Sequence, residues 1–306
     1  MKLKSTGLVA FLCGQPWALH APTLAAAERI LSRHLEGVRL ESEELGEIVR
    51  GRDARQARRR ADWGDYSGVS EADQERGYFY SGNVAVVPVS GLLSKYSDMI
   101  NGLSQPSGMT SQQVADTIRR AGDDRRASAG VLLDVDSPGG TVAGTSDMAQ
   151  AVQDVKAGGR RVVAFAHDLA ASAAYWLASQ ADEVFLTPTA EVGSIGVYAV
   201  LEDASKYYES RGVKRVLVAS GPHKGGGADG TTLTPDHVAS VAESVHAHAA
   251  VFKAAVAQGR GLSAEEIDRV ATGRTFVGSE AVAAGLADGV ANYEELVRAM
   301  NEKGNP

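Results

Sequence analysis

The chain has 306 residues, of which 44% are hydrophobic and 23% are charged. A chain of this size and composition buries a sizeable core, which excludes an intrinsically disordered protein. Its formal net charge of -7 argues against nucleic acid as the main partner, because phosphate recognition needs a concentrated basic surface. The single cysteine, Cys13, cannot form an internal disulfide, so a cytoplasmic setting is expected.

The N-terminus carries a short apolar run at residues 7–13, preceded by Lys2 and Lys4. This run is far shorter than the ~20 apolar residues that a membrane-spanning helix requires. It also lacks the small-residue cleavage site of a secretory signal peptide. We therefore expect neither a membrane span nor an export signal.

Residues 24–49 and 50–75 differ in composition. The apolar residues from Leu24 to Ile48 follow helical spacing, which predicts one or two amphipathic helices. The following stretch interleaves arginines with aspartates and is typical of a solvated linker, with a nucleic-acid or processing role as the alternative. We expect a helical N-terminal appendage and polar linker over residues 1–80, followed by one domain over residues 81–300.

Short β-rich runs alternate with helical runs from residue 83 onwards. This alternation predicts βαβ units, a largely parallel sheet and an α/β fold. The predicted strands cover residues 84–89, 130–136, 161–166, 183–186 and 214–218. The predicted helices cover residues 111–121 and 145–156, a segment beginning near Ser172, a short segment around Tyr207 and Tyr208, residues 235–258 and the segment after Ser263.

Two turns carry residues suited to acyl transfer. The glycines of Ser-Pro-Gly-Gly at residues 137–140 let the backbone present N–H groups that stabilise an oxyanion, although any strand-to-helix turn that needs glycine explains them equally well. Ser172 stands among alanines where an apolar helix begins, at the positive end of the helix dipole. This place suits a nucleophile, and an ordinary helix-capping serine is the alternative.

Two further polar residues follow at points where the chain turns. Ser194 lies between glycines, and Lys224 lies in a loop directly after a predicted strand. Taken in order, these blocks resemble the S49 peptidase family over residues 84–290. The matching blocks are Ser-Pro-Gly-Gly at 137–140, Ala-Ala-Ser at 170–172, Gly-Ser-Ile-Gly-Val at 193–197, Ser-Gly-x-His-Lys at 220–224, and Gly-Arg-Thr-Phe-Val-Gly at 273–278 followed by Ala-Gly-Leu-Ala-Asp at 284–288.

The resemblance implies a fold and a role for each matching residue. The fold would be a ClpP/crotonase-like repeated ββα superhelix. Ser172 would be the nucleophile, Lys224 its general base, and Ser194 the residue that orients the lysine amine. The N–H groups of Gly140 and Ala173 would form the oxyanion hole. The family chemistry implies no metal and no cofactor.

A lysine base must satisfy a severe physical demand. An ordinary lysine has a pKa near 10.4, so only about one amine in 2,500 is neutral at pH 7. Desolvation can lower a lysine pKa by several units, but the glycine-rich stretch at residues 225–230 is poor at excluding water. We therefore expect a homo-oligomeric ring in which another subunit covers Lys224 and completes the dyad.

The resemblance also implies a substrate class, namely proteins or peptides. Residues 15–19 resemble the opening of the phage capsid proteases within the family. We therefore expect a serine endopeptidase that matures a phage or prophage head by cleaving scaffold, portal or capsid proteins, in the host cytoplasm or the assembling prohead. A bacterial signal-peptide-peptidase-like protease, which would be cytoplasmic, is the alternative.

Three other functions remain open from the residues. His223 next to Lys224 allows a ClpP-type Ser/His/Asp triad, although no aspartate stands out as its third member. An acyl-CoA hydratase or isomerase would share the scaffold, but it needs catalytic carboxylates and a CoA site, and it leaves Ser172 and Lys224 unexplained. A non-catalytic assembly scaffold with a decayed site is the third.

Overall fold

A computed structural model describes residues 17–20, 73, 76–95 and 109–303 of the chain. The helices expected at residues 24–49, and nearly all of the linker expected at 50–75, lie outside the described residues. Within the described ranges, none of the helices combines the length and the apolar character needed to cross a bilayer.

The described residues form twelve strands and eight helices. The strands are β1 (Trp17–Leu19), β2 (Phe79–Ser81), β3 (Val84–Ser90), β4 (Leu93–Ser94), β5 (Met109–Thr110), β6 (Gly130–Ser137), β7 (Gly139–Thr141), β8 (Val162–Ala171), β9 (Glu183–Leu186), β10 (Glu191–Gly193), β11 (Thr275–Val277) and β12 (Gly289–Val290). The helices are α1 (Ser111–Asp123), α2 (Thr145–Ala157), α3 (Ala173–Ala178), α4 (Ser205–Ser210), α5 (Pro235–Arg260), α6 (Ala264–Val270), α7 (Ser279–Ala283) and α8 (Tyr293–Lys303).

The larger sheet has the strand order β11-β10-β8-β6-β3-β2, with β9 pairing to β8 and to β12. Strands β3, β6, β8, β9 and β10 run parallel, and the edge strands β2 and β11 are antiparallel to their neighbours. A smaller sheet has the order β1-β7-β4-β5. The protein is therefore a mixed α/β protein. Because β6, β8 and β10 run parallel, their carboxyl ends lie at the same end of the sheet.

The two faces of the larger sheet carry separate apolar clusters, because successive side chains of a strand point to opposite sides. Along β8, Val162, Ala164 and Ala166 join the large cluster that also includes buried residues of α1, α2 and α3. Val163 and Phe165 join a second cluster with Leu296, Val297 and Met300 of α8. Because both faces of the sheet are covered, the sequences of these strands are continuous apolar runs.

Most predicted elements of the larger sheet are confirmed. The strands predicted at 84–89, 130–136, 161–166 and 183–186 correspond to β3, β6, β8 and β9. The strand predicted at 214–218 is wrong, since residues 213–219 form neither strand nor helix and are exposed, with Val216 71% and Val218 90% accessible. The β-branched sequence is strand-like, but a strand forms only where a neighbouring strand offers hydrogen bonds.

Helix α3 is held in place through two aromatic side chains. The hydroxyl of Tyr175 donates a hydrogen bond of 2.8 Å to the carbonyl oxygen of Leu286. The ring of Trp176 stacks on Phe252 of α5, with centroids 4.8 Å apart. Because α3 begins directly after Ser172, these contacts also fix the position of that serine.

An ion pair joins the end of α5 to the segment before β12. The guanidinium of Arg260 donates to both carboxylate oxygens of Asp288, at 2.8 and 3.0 Å. The backbone N–H of Val184 donates to the same carboxylate at 2.6 Å. Burial acts to raise the pKa of Asp288, but the hydrogen bonds from Arg260 and Val184 outweigh it and hold the pKa below its usual value of 3.8.

Replacing Asp288 by asparagine is expected to lower the free energy of unfolding at pH 7 by about 1–2 kcal/mol, less than for a fully buried pair because the carboxylate is partly solvated. A carboxyl group with a lowered folded-state pKa stabilises above its unfolded pKa, and this contribution is lost as the pH falls through the folded value. The difference between wild type and Asp288→Asn should therefore shrink below about pH 4.

Denaturant unfolding between pH 3 and pH 7 measures this difference. The control is Glu280→Gln, because Glu280 pairs with Arg274 at 2.9 Å on the open surface. That change should cost less than about 0.5 kcal/mol at every pH. A constant difference between wild type and Asp288→Asn across the pH range would contradict the role given to the carboxylate.

Candidate active site

Ser172 connects β8 to α3 in a backbone conformation that serine rarely adopts. Its φ is 58° and its ψ is -121°. Among the described residues, Ser172 and Ser194 are the two non-glycine residues with positive φ. Such a conformation is unfavourable for a residue with a Cβ, and it persists only where the surrounding structure imposes it.

The surrounding hydrogen bonds impose this turn. Parallel pairing of β8 and β10 places Gly193 opposite Ala171, and the N–H of Ser172 donates to the carbonyl of Gly193 at 2.7 Å. The carbonyl of Ser172 accepts from the N–H of Trp176 at 2.9 Å. The serine is thus fixed on both sides by backbone bonds.

The hydroxyl of Ser172 does not cap the helix. Ser172 occupies the N-cap position of α3, but its side chain makes no capping hydrogen bond. The residue is 1% exposed, and its Oγ has no hydrogen-bond partner among the described residues. The missing capping hydrogen bond argues against the capping alternative, and a buried hydroxyl without a partner costs stability.

Ser194 lies beside this turn. It follows β10 with a φ of 52°, is nearly fully buried, and its N–H donates to the carbonyl of Arg274 at 2.8 Å. The preceding residue, Gly193, accepts the hydrogen bond from Ser172. Parallel pairing therefore brings the two serines to neighbouring strand ends.

The glycines of the Ser-Pro-Gly-Gly block pack against the same turn. Gly139 has a φ of 92°, and a Cβ added to it would lie 2.8 Å from both Ala171 O and Ala173 N. A Cβ on Gly140 would instead collide with the carbonyl of Leu93. Gly139 is thus the glycine in contact with the turn at Ser172, a distinction that the sequence block alone did not make.

Lys224 and His223 lie outside this buried region. Both side chains are exposed, in a turn where the N–H of Lys224 donates to the carbonyl of Gly221 at 3.1 Å. Since Ser172 Oγ has no partner among the described residues, neither side chain hydrogen-bonds to it within the single chain. The structure therefore gathers Ser172, Ala173, Ser194 and the glycines, and leaves Lys224 in solvent.

A pair formed by the buried Asp134 and the partly buried His167 was missed in the sequence. Asp134 of β6 is 2% exposed, and its Oδ1 lies 3.1 Å from Nε2 of His167 on β8. The imidazole packs edge-on against Phe165, with centroids 4.7 Å apart, on the sheet face covered by α8. The pair makes no hydrogen bond to Ser172 Oγ, so it does not complete a triad in the single chain.

The class that the fold and site define is an α/β protein with a buried serine on a strained strand-to-helix turn, beside close-packed glycines. The comparisons with known proteins agree with this class. A family model described as peptidase family S49 matches residues 154–305. Together with the relatives described next, this match places the chain in peptidase family S49.

The relatives include phage and bacterial proteases. The chain is 34% identical to capsid assembly protease C of Escherichia phage lambda, over 75% of this chain and 51% of that protein. It is 31% identical to head-tail preconnector protein GP5 of Enterobacteria phage P21, over 74% and 44%. It is 28% identical to protease 4 of Salmonella typhi, over 76% and 35%. The chain thus spans about half the length of the first relative and less of the others.

Gly139→Ala is expected to lower the free energy of unfolding by more than about 2 kcal/mol, because the added Cβ meets backbone atoms that cannot move independently. The matched control is Gly159→Ala. Gly159 also has a positive φ, of 82°, but a Cβ there would meet nothing within 4 Å. The control should cost only the backbone strain, about 1 kcal/mol.

Thermal and denaturant unfolding of the two variants separate the steric effect from the backbone strain. Equal destabilisation of Gly139→Ala and Gly159→Ala would contradict the tight packing of Gly139 against the turn at Ser172.

Proposed function

We propose that the chain is a serine endopeptidase in which Ser172 is the nucleophile and Lys224 the general base. The observation that carries this proposal is the Ser172 hydroxyl, which is buried, unpartnered among the described residues and held on a strained turn. Strain and an unsatisfied buried polar atom both lower stability, and such features concentrate where a site needs them for chemistry.

The reaction follows from the chemistry of a hydroxyl and a neutral amine. Lys224 Nζ accepts the proton as Ser172 Oγ attacks the peptide carbonyl carbon, and a tetrahedral oxyanion forms. Its collapse breaks the C–N bond, and the lysine ammonium gives its proton to the leaving amine. The Lys224 amine, neutral again, then deprotonates a water molecule. This water hydrolyses the acyl-enzyme and restores the serine. In this scheme Ser194 orients the amine.

The oxyanion is stabilised by backbone N–H groups, which we assign to Gly140 and Ala173. Ala173 is the first residue of α3, where the backbone N–H has no acceptor within the helix. Gly140 lies in β7, next to the glycine that contacts the turn. Loss of one such donor typically slows an enzyme by about 100-fold to 1,000-fold.

The lysine is supplied by a neighbouring copy in a homo-oligomeric ring. This part of the proposal is supported by the exposure of Lys224, since a solvated lysine cannot become the neutral base that the reaction needs. It is also supported by the strand-like segment at residues 213–218, whose apolar side chains are exposed just before the lysine. Packing of a second copy against this segment would bury both the segment and Lys224.

The relatives indicate the substrates. Two of them are named as a capsid assembly protease and a head-tail preconnector protein, both from phages. We propose that the chain cleaves scaffold, portal or capsid proteins during head assembly, in the prohead or the host cytoplasm. We assign the peptidase domain to residues 81–300, with a ClpP/crotonase-like superhelix, and the appendage to residues 1–80.

Labelling by a fluorophosphonate, read by intact mass, tests the two catalytic residues. Ser172→Ala should abolish labelling, and Lys224→Ala should slow it by at least about a thousandfold because the base is lost. His223→Ala is the matched control, and its rate should stay within about threefold of wild type. Loss of labelling in His223→Ala with retention in Lys224→Ala would refute the lysine base.

Mixing two inactive variants tests whether the site is shared between copies. Ser172→Ala and Lys224→Ala should each be inactive towards a protein substrate. After unfolding and refolding together in equal amounts, about a quarter of the wild-type activity should return, because a site is complete only where an intact serine meets a neighbour's intact lysine. A mixture as inactive as its components, with the ring size unchanged, would show that both residues act within one chain.

A further inference from the structure

Strand β1 fills a slot between two segments that flank the nucleophile turn. On one side the N–H of Trp17 donates to the carbonyl of Tyr198 at 2.8 Å, and the N–H of Tyr198 donates back at 3.0 Å. On the other side β1 pairs antiparallel with β7, placing Ala18 opposite Gly140. Trp17 and Ala18 are fully buried. Three residues of the N-terminal segment thus form an inserted strand.

The pairing register shows which backbone groups of β1 face β7. The N–H of His20 donates to the carbonyl of Pro138 at 2.8 Å. Along an antiparallel ladder, bonded and non-bonded residue pairs alternate, so the next bonded pair is Ala18 with Gly140. The bonds between Trp17 and Tyr198 on the opposite edge agree with this alternation. The carbonyl of Ala18 therefore faces the N–H of Gly140, one of the two groups assigned to the oxyanion hole.

The second assigned donor lies close to the same carbonyl. A Cβ added to Gly139 would collide with the carbonyl oxygen of Ala18, and that point is also 2.8 Å from the backbone nitrogen of Ala173. The Ala18 oxygen and the Ala173 nitrogen thus both lie next to the space that a side chain on Gly139 would fill. Ser172 immediately precedes Ala173 in the turn. A peptide carbonyl of the chain itself thus lies near both groups that we assign to the oxyanion hole, where a substrate carbonyl would bind in the proposed reaction.

We propose that the N-terminal strand, residues 17–20, occupies the slot that an extended substrate peptide uses, so that it must leave before a substrate can enter. This inference rests on the proposed peptidase function. Extended peptides bind proteins by adding a strand to an exposed edge, with backbone hydrogen bonds for affinity and side-chain pockets for specificity. Strand β1 makes the same kind of contact to β7 from within the chain.

The occupant also defines the ligand class. The residue opposite Gly140 is an alanine with no exposed surface, so the slot takes an extended peptide with a small side chain at that position. One position towards the N-terminus, the large buried side chain of Trp17 anchors the strand. A tethered strand has an effective concentration in the range of about 1 mM, so a weakly held segment still competes with free substrate.

Replacement of the anchoring Trp17 in the full-length chain tests whether β1 occupies the slot. Trp17→Ala should raise the rate of Ser172 labelling by a fluorophosphonate about tenfold or more, because the strand leaves the slot more often. The matched control is Met300→Ala, which removes a fully buried side chain from the cluster on the other sheet face and should leave the rate unchanged. A folded Trp17→Ala chain that labels no faster than wild type would overturn the proposal.

Hydrogen exchange provides a second test that needs no catalysis. The full-length Ser172→Ala chain is mixed with a synthetic peptide of its own residues 14–23, Gly-Gln-Pro-Trp-Ala-Leu-His-Ala-Pro-Thr, at about 1–5 mM. Exchange at residues 17–20 should accelerate as the peptide takes the slot, while residues 139–141 stay protected. A scrambled peptide should change neither. Unchanged exchange at residues 17–20 would overturn the occupancy.

The two tests separate this inference from the peptidase proposal. If no variant is labelled at Ser172, the peptidase proposal fails. Displacement of residues 17–20 by the peptide would still show that the slot binds an extended peptide. If wild type is labelled and Trp17→Ala is labelled at the same rate, the peptidase proposal stands and the occupancy fails.

Discussion

The backbone strain at Ser172 is the constraint on which the rest of the site depends. A serine at a φ of 58° is stable only because β8 and β10 run side by side and the carbonyl of Gly193 accepts its N–H. Small residues are then required around it, because the backbone of β7 packs directly against the turn. At Gly139 no space is left even for a Cβ. The alanines and glycines of these blocks follow from close backbone packing around one strained residue.

The surroundings of Lys224 differ from those of Ser172. Ser172, the proposed nucleophile, is almost fully buried in a single chain. Lys224, the proposed base, is exposed and is preceded by exposed apolar residues. A neutral amine requires desolvation, which a second copy would supply in the proposed ring by burying Lys224. Under the proposed mechanism the activity is therefore coupled to assembly, which would restrict proteolysis to the assembled particle.

The N-terminal strand adds a second level of control in the same proposal. Backbone hydrogen bonds to β7 and Tyr198 hold a carbonyl of Ala18 beside the assigned oxyanion donors. Such bonds are independent of side-chain identity, so a substrate strand can replace them one for one. The glycines of β7 then serve two purposes, since they allow close approach to the nucleophile turn and leave room for an added strand.

The sequence by itself determined the strands β3, β6, β8 and β9, the helices with clear capping signals, and the blocks that contain Ser172 and Ser194, because these depend on local periodicity and on residue types at fixed spacing. Only the tertiary structure decided that residues 214–218 form no strand, that β1 pairs with β7 and that Asp134 meets His167. It also decided that Ser172 is strained and that its hydroxyl has no partner among the described residues. The physical reason is that strand formation and burial depend on which segments become neighbours in space, and hydrogen-bond partners far apart in the chain leave no local pattern.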